Sequence, residues 1–163
     1  MKILIDTNVL FSALLFPGSK PAQALLLVSN EHEMYLCDRS IQELYDTLGK
    51  KAPHVLPDTE VFLAEMSYEL IPASFHAEKL IRDAKDQPIL NAAIIYDVDI
   101  ILTGDKDFLS LDMEHPKCTK TADFWRCWGI KRLNGKNQAF LDFDCLLRSV
   151  QLEAANGEIV SVL

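Results

Sequence analysis

The stretch Met1-Lys2-Ile3-Leu4-Ile5-Asp6-Thr7-Asn8 is an apolar run that stops at a carboxylate, and its reading decides the fold. Ile3, Leu4 and Ile5 are too few for a helix and β-branched enough for a buried strand, so Asp6 falls near the strand's carboxyl end. Open parallel sheets bind ligands at that edge. The pattern recurs in Val98-Asp99-Ile100-Ile101-Leu102, a second short apolar run that empties into Thr103-Gly104-Asp105-Lys106-Asp107. Two strands thus deliver acids to one edge. Carboxylates gathered there repel one another unless hydrogen bonds or a cation compensate them, and hard divalent ions such as Mg2+ or Mn2+ take oxygen ligands of this kind. Singly, Asp6 or Asp105 reads as the start of a solvated loop. Together they read as a site.

Outward from these strands, helix and strand signals alternate. Asn8 to Phe16 is apolar and starts a helix before the turn Pro17-Gly18-Ser19, and Pro21 to Val28 reads as a helix with proline in its first turn. Met34 to Cys37 is a short strand. Ser40 is placed to cap a helix from Ile41 to about Leu48, closed by Gly49. Ser40-Ile41-Gln42-Glu43 also has capping-box spacing, which weighs evenly against a metal role for Glu43. A helix is expected over 58–68, capped by Asp58 or Thr59, with Val61, Phe62, Met66 and Leu70 packing inward; Leu70 to Pro72 reads as an edge strand. Asp86 precedes a helix from about Pro88 to Tyr96 with Ile89, Ala92, Ala93 and Tyr96 at core-facing spacing, and at that position it serves as a cap or as a cation ligand. The alternation predicts a parallel sheet flanked by helices. Beyond Gly129, Lys131 to Lys136 reads as a linker. Phe140, Phe143, Leu147 and Val150 then fall at helical spacing, before an Asn156-Gly157 turn and a strand-like end.

The 163 residues suit one domain with a small appendage, divided as 1–130 and 131–163. Hydrophobic residues make up 49% and charged residues 25%, as in ordinary soluble globular proteins. No stretch has the length of apolar sequence that a membrane span needs, and Asp6 and Asn8 interrupt what would otherwise resemble a signal peptide, so a cytoplasmic protein without membrane contact is expected. Cys37, Cys118, Cys127 and Cys145 form no C-x-x-C pair and read as free buried thiols; the four histidines show no zinc spacing. The net charge of −8 argues against bulk electrostatic binding of nucleic acid, although setting aside Asp6, Glu43, Asp86, Asp105 and Asp107 leaves −8 + 5 = −3. Between Lys117 and Lys136 six basic residues stand against Asp123 alone, with Trp125 and Trp128 among them. Such a segment faces either a phosphate backbone, with Lys120, Trp125 and Arg126 as contacts, or solvent, with its tryptophans turned inward.

Asp6-Thr7-Asn8-Val9-Leu10, Ser40-x-x-Glu43-Leu44, Asp83-x-x-Asp86 and Thr103-Gly104-Asp105-Lys106-Asp107 resemble, in order and spacing, the successive acidic motifs of PIN domains over residues 1 to about 128. The resemblance implies an α/β fold, a three-layer α/β/α sandwich with a central parallel sheet, and a Mg2+- or Mn2+-dependent ribonuclease; many PIN domains are toxins of VapBC-type toxin–antitoxin pairs. By position, Asp6, Glu43, Asp86 and Asp105 would be the catalytic and metal-binding acids, with Asp107 as an accessory ligand. Thr7, Asn8, Ser40 and Thr103 would support them by hydrogen bonds. Lys106 would steer phosphate, or is simply a surface lysine after a turn. Ala84 stands where the family often has proline, which leaves that loop less stiff.

The expected partners are single-stranded or loop RNA as substrate, an antitoxin protein presenting Arg or Lys to the acids, and a second copy of the chain in a homodimer that uses the apolar stripe of residues 140–150. An aspartyl-phosphate phosphatase would need an acid where Asn8 stands, and a phospho-receiver an early acidic pair with a partnered lysine. The serious rival is a non-catalytic PIN-like module that binds RNA or protein.

Overall fold

The computed structural model describes residues 1–75 and 79–129, and the expected helix and hairpin of the C-terminal segment lie outside them. Strand β1 (Lys2–Ile5) leads through helices α1 (Thr7–Leu15) and α2 (Lys20–Glu31) to β2 (Glu33–Cys37). Helix α3 (Asp38–Lys51), a 3-10 turn over Pro53–Val55 and α4 (Leu56–Glu65) precede β3 (Glu69–Ile71). Then come α5 (Gln87–Ile95), β4 (Ile100–Leu102), α6 (Lys106–Leu109), β5 (Lys117–Thr119) and α7 (Thr121–Phe124), which runs into a π-turn over Trp125–Gly129.

All strand pairings are parallel, and the order across the sheet is β3-β2-β1-β4-β5. Side chains of a strand alternate between faces, so one strand feeds two cores. Ile3 and Ile5 of β1, Met34 and Leu36 of β2, and Ile100 and Leu102 of β4 join a core with α1, α2, α3, α4 and Phe124. Leu4, Tyr35, Cys37 and Ile101 face the other way, onto α5 and Phe108. The result is a three-layer α/β/α sandwich, in which the parallel sheet flanked by helices is what the alternating strand and helix signals predict.

The chain leaves β1 toward β2 on one side, and β4 returns to pair on β1's other side. The crossovers therefore diverge between β1 and β4, which opens a crevice at their carboxyl ends. Among the described residues no single helix is long and apolar enough to cross a bilayer. The nearest to one is α1 with α2, but these meet at 110° and their apolar residues are core.

Several local expectations are corrected. Ser40 does not cap a helix: α3 already begins at Asp38, and Ser40 Oγ is buried without a hydrogen-bond partner among the described residues. The capping box therefore does not form. Gly49 does not end α3 either, because Leu48 and Ala52 are both buried and draw the helix on to Lys51. Asp58 and Thr59 are inside α4, since the 3-10 turn carries the chain into the helix earlier, and Thr59 Oγ1 bonds back to the Val55 carbonyl at 2.9 Å. Val61 and Leu70 are exposed rather than packed, Leu70 lying on the edge strand β3. Cys37 is buried, whereas Cys127 is exposed.

The edge and centre of the sheet make separable predictions. Leu36→Ala should cost roughly 2–5 kcal/mol because Leu36 is fully buried at the centre of the core. Leu70→Ala, at a position 55% exposed, should stay within about 0.5 kcal/mol. Urea unfolding of the two variants measures the difference.

Candidate active site at the β1/β4 edge

Asp6 takes the N-cap position of α1, and its Oδ1 accepts the Thr7 amide at 2.8 Å. Its Oδ2 accepts Asn8 Nδ2 at 2.7 Å and Thr103 Oγ1 at 2.5 Å. The reach from Asp6 to Thr103 follows from register. Ile5 pairs with Leu102, and the Asp6 amide donates to the Leu102 carbonyl at 3.1 Å, so the next residue of each strand stands beside the other. Thr103 Oγ1 in turn accepts the Asp105 amide at 2.9 Å, and the Gly104 amide donates to Asn8 Oδ1 at 3.0 Å. The loop after β4 is thereby tied to the start of α1 at two points, Thr103 to Asp6 and Gly104 to Asn8.

Thr7 extends the frame to α3. Its hydroxyl donates to Glu43 Oε2 at 2.9 Å and also lies 3.3 Å from the Ser40 carbonyl, so Ser40 enters the site through its backbone and not its side chain. Asp105 is the N-cap of α6, with Oδ1 accepting the Asp107 amide at 2.7 Å. Asp86 stands at the N-cap position of α5 without a side-chain capping bond. Three of the four acids are thus at helix starts, where the macrodipole favours negative charge.

That favour does not remove the cost of crowding. Burial first, with the charges of Glu43 and Asp105 adding to it, pushes the Asp6 carboxyl up to about 6 despite the hydrogen bonds from Thr103 and Thr7. Burial, followed by the charges of Asp6, Asp83, Asp105 and Glu43, pushes Asp86 up to about 7. Asp6, Glu43, Asp86 and Asp105 therefore act on one another electrostatically although they come from four separate segments.

The donor set is all carboxylate oxygen, which fits a hard divalent cation. A carboxylate has about four lone-pair directions, and Asp6 already uses three on Thr7, Asn8 and Thr103, so one remains for a ligand. Among the described residues no three His, Cys, Asp or Glu side chains stand close enough to enclose an ion as they are placed. Loading would have to draw the carboxylates inward.

Beside these acids lies an open cleft of about 590 Å³, with Asn8, Arg82, Asp83, Asp105, Lys106 and Asp107 on its wall. Asp107, expected as an accessory ligand, is held by Arg82 through Nη2 at 2.7 Å and Nε at 3.1 Å. Arg82 and Asp83 were not singled out for a cleft role by sequence reasoning, since neither shows a pattern of its own beyond the neighbouring acid motif. The nucleic-acid candidates of the basic segment separate. Trp125 and Trp128 are partly buried against the core, Trp128 stacked on Phe124 at 5.0 Å and Trp125 lying under Lys20 Nζ at 5.3 Å from its ring centre. Trp125 thus packs partly against the core, with Lys20 over one face of its ring. Arg126 pairs with Asp123 at 3.3 Å, while exposed Lys120 adjoins Thr121, which lines the cleft.

Comparison with known proteins agrees with this architecture. A PIN domain family model matches residues 2–107. The chain is similar in fold to a chain of the VapBC2 complex from Rickettsia felis, whose structure was solved bound to a DNA fragment from the promoter of the pair. The TM-score is 0.59 at 18% identity, covering 74% of this chain and 98% of the other. No curated protein matches the sequence.

Both raised acids bear on stability. Their folded-state values lie above the unfolded 3.8, so the stability they contribute is complete below that pH and is lost as pH rises through about 6 to 7. Thermal melts of the metal-free protein should therefore show it less stable at about pH 8 than at about pH 5. Asp86→Asn, which gives up no capping bond, should regain roughly 1 kcal/mol at the higher pH after allowance for solvent screening, and should flatten the pH profile. A profile unchanged by the substitution would contradict the assignment of the repulsion to Asp86. Ser40→Ala supplies a second check: with no bond to lose, it should leave stability within about 0.5 kcal/mol, where loss of a true cap costs about 1 kcal/mol.

Proposed function

This chain belongs to the PIN-domain family, whose members are generally nucleases, and from that premise we propose that it is a Mg2+- or Mn2+-dependent endoribonuclease acting on single-stranded or loop RNA. The observation that carries the reading is the gathering of Asp6, Glu43, Asp86 and Asp105 at the β1/β4 switch point, where burial first and their mutual repulsion second raise Asp6 and Asp86, a cost that a bound cation would relieve. When bound, a divalent ion supplies a water acidified toward hydroxide and neutralises charge on the scissile phosphate. The chain's own residues do the positioning. Asp6, on the most rigid element, would be the central ligand, oriented by Thr7, Asn8 and Thr103. Asp86 and Asp105 would complete the ligand set, and Glu43, fixed by Thr7, would bind a second ion or its water. Lys106 on the cleft wall would attract the phosphate backbone.

The proposed setting is a cytoplasmic toxin paired with an antitoxin. The fold is shared with a VapBC2 chain, and the acid-rich cleft suits a partner that inserts Arg or Lys where a metal's charge would otherwise sit. A homodimer using residues 140–150 belongs to the same proposal, and those residues lie outside the described ones.

Purified protein should cleave single-stranded RNA in Mg2+ or Mn2+, stop on addition of EDTA, and leave 5′-phosphate and 3′-hydroxyl ends. Asp6→Asn should lower kcat by about a hundredfold or more while the protein still melts cooperatively. Glu43→Gln should also lose activity at near-wild-type stability. Cleavage that persists in EDTA would sink the metal mechanism, and binding of RNA without cleavage would favour the non-catalytic module.

A further inference from the structure

Arg82 stands out among the cleft residues. Its guanidinium uses the Nε–Nη2 edge on both oxygens of Asp107, which is itself largely buried, yet the Arg82 side chain is 86% exposed. A guanidinium has five N–H donors in a planar fork, and with Nε and one Nη2 hydrogen on Asp107, Nη1 and the second Nη2 hydrogen of Arg82 make no hydrogen bond to the described residues. Asp107 thus holds the group in one orientation while a second bidentate edge stays open at the cleft. The location is next to the acids, because the Asp107 amide donates to Asp105 Oδ1 at 2.7 Å.

We infer that Arg82 is a phosphate-binding residue, which Asp107 holds in place so that its free edge grips a backbone phosphate of single-stranded RNA beside the four-acid site. The inference rests on the ribonuclease reading for the identity of the polyanion. Its physical need is plain: Asp83, Asp105 and Asp107 on the cleft wall repel a phosphate chain, and Arg82 cancels Asp107 while offering the geometry that carboxylates and phosphates share. Lys106 is the other cation on that wall, but an ammonium on a flexible stem gives charge without orientation. Pairing Asp107 needs only one edge of the guanidinium, so neutralising that carboxylate does not account for the second edge left at the cleft.

The full-length chain tests this with a short fluorescently labelled single-stranded RNA, read by anisotropy in Ca2+ over a range of salt, and separately by cleavage kinetics in Mg2+ or Mn2+. Arg82→Ala should weaken binding roughly tenfold and reduce the slope of log affinity against log salt by about 0.7, the loss of one phosphate contact on a single strand. Arg82→Lys should keep the slope and recover only part of the affinity. In cleavage, KM should rise by a similar factor with kcat changed less than about twofold. Arg82→Gln, melted alongside, guards against a folding defect in the alanine variant. Unchanged affinity and slope on removal of the charge, or no RNA binding by the parent protein, would overturn the inference. Arg82-dependent binding without cleavage would remove the ribonuclease reading and leave this one standing. Cleavage that is indifferent to Arg82 would do the reverse.

Discussion

The parallel pairing of β1 with β4 is the constraint on which the site depends. It sets Leu102 opposite Ile5, and from that register the Asp6 carboxylate and the Thr103 hydroxyl emerge side by side at the carboxyl edge. Sequence places them 97 residues apart. Once they meet, Thr103 carries its bond onward to the Asp105 amide, and Asn8 clasps Gly104, so one strand register positions the whole loop from 103 to 107. A slip of one residue would turn Ile5 and Leu102 toward the wrong core and take Asp6 away from Thr103.

The same geometry makes the site unfavourable by itself. Acids at the starts of α1, α5 and α6 gain from the helix dipoles, but their charges also act on one another. Burial at Asp6 removes the water that would have screened them. The raised carboxyls of Asp6 and Asp86 are the visible consequence, and such convergence of perturbed groups in a crevice marks a functional site more often than a structural one. The fold holds this arrangement because two cores, one on each face of the sheet, fix the strands independently of the acids.

Polar bookkeeping at the rim shows which residues are committed and which remain free. Asp6 has spent three of its acceptor directions on protein donors, Thr7 spans to α3 through Glu43, and Asp107 is engaged by Arg82. The tryptophans of the basic segment are committed to packing. What faces the open cleft is therefore mostly polar and mixed in sign, with Val9 and Pro21 beside it and a guanidinium fixed at one wall. That composition suits a charged, extended ligand better than an apolar one.

The sequence by itself determined the layering and the acids. Short β-branched runs ending in Asp6 and at Thr103, separated by helical periodicity, leave few alternatives to a parallel sheet with functional groups at its carboxyl edge. Local signals were also enough for the helix before Pro17 and for the strand at Ile100–Leu102. They failed where two local rules competed. Ser40 and Glu43 satisfy a capping box on paper, but Cys37 leads directly into α3, so Ser40 is buried and Glu43 turns to Thr7. The strand β5 was invisible because Lys117–Thr119 is short and only partly buried, and it is a strand only because β4 offers it an edge. Tertiary structure alone decided that Arg82 meets Asp107 across 25 residues and that Trp125 packs inward, since neither partner choice is encoded within the reach of a helix turn or a strand pair. Periodicity reports which face of an element is apolar; it carries no information on which distant side chain will stand opposite, and that is settled only when the sheet's order and register are fixed.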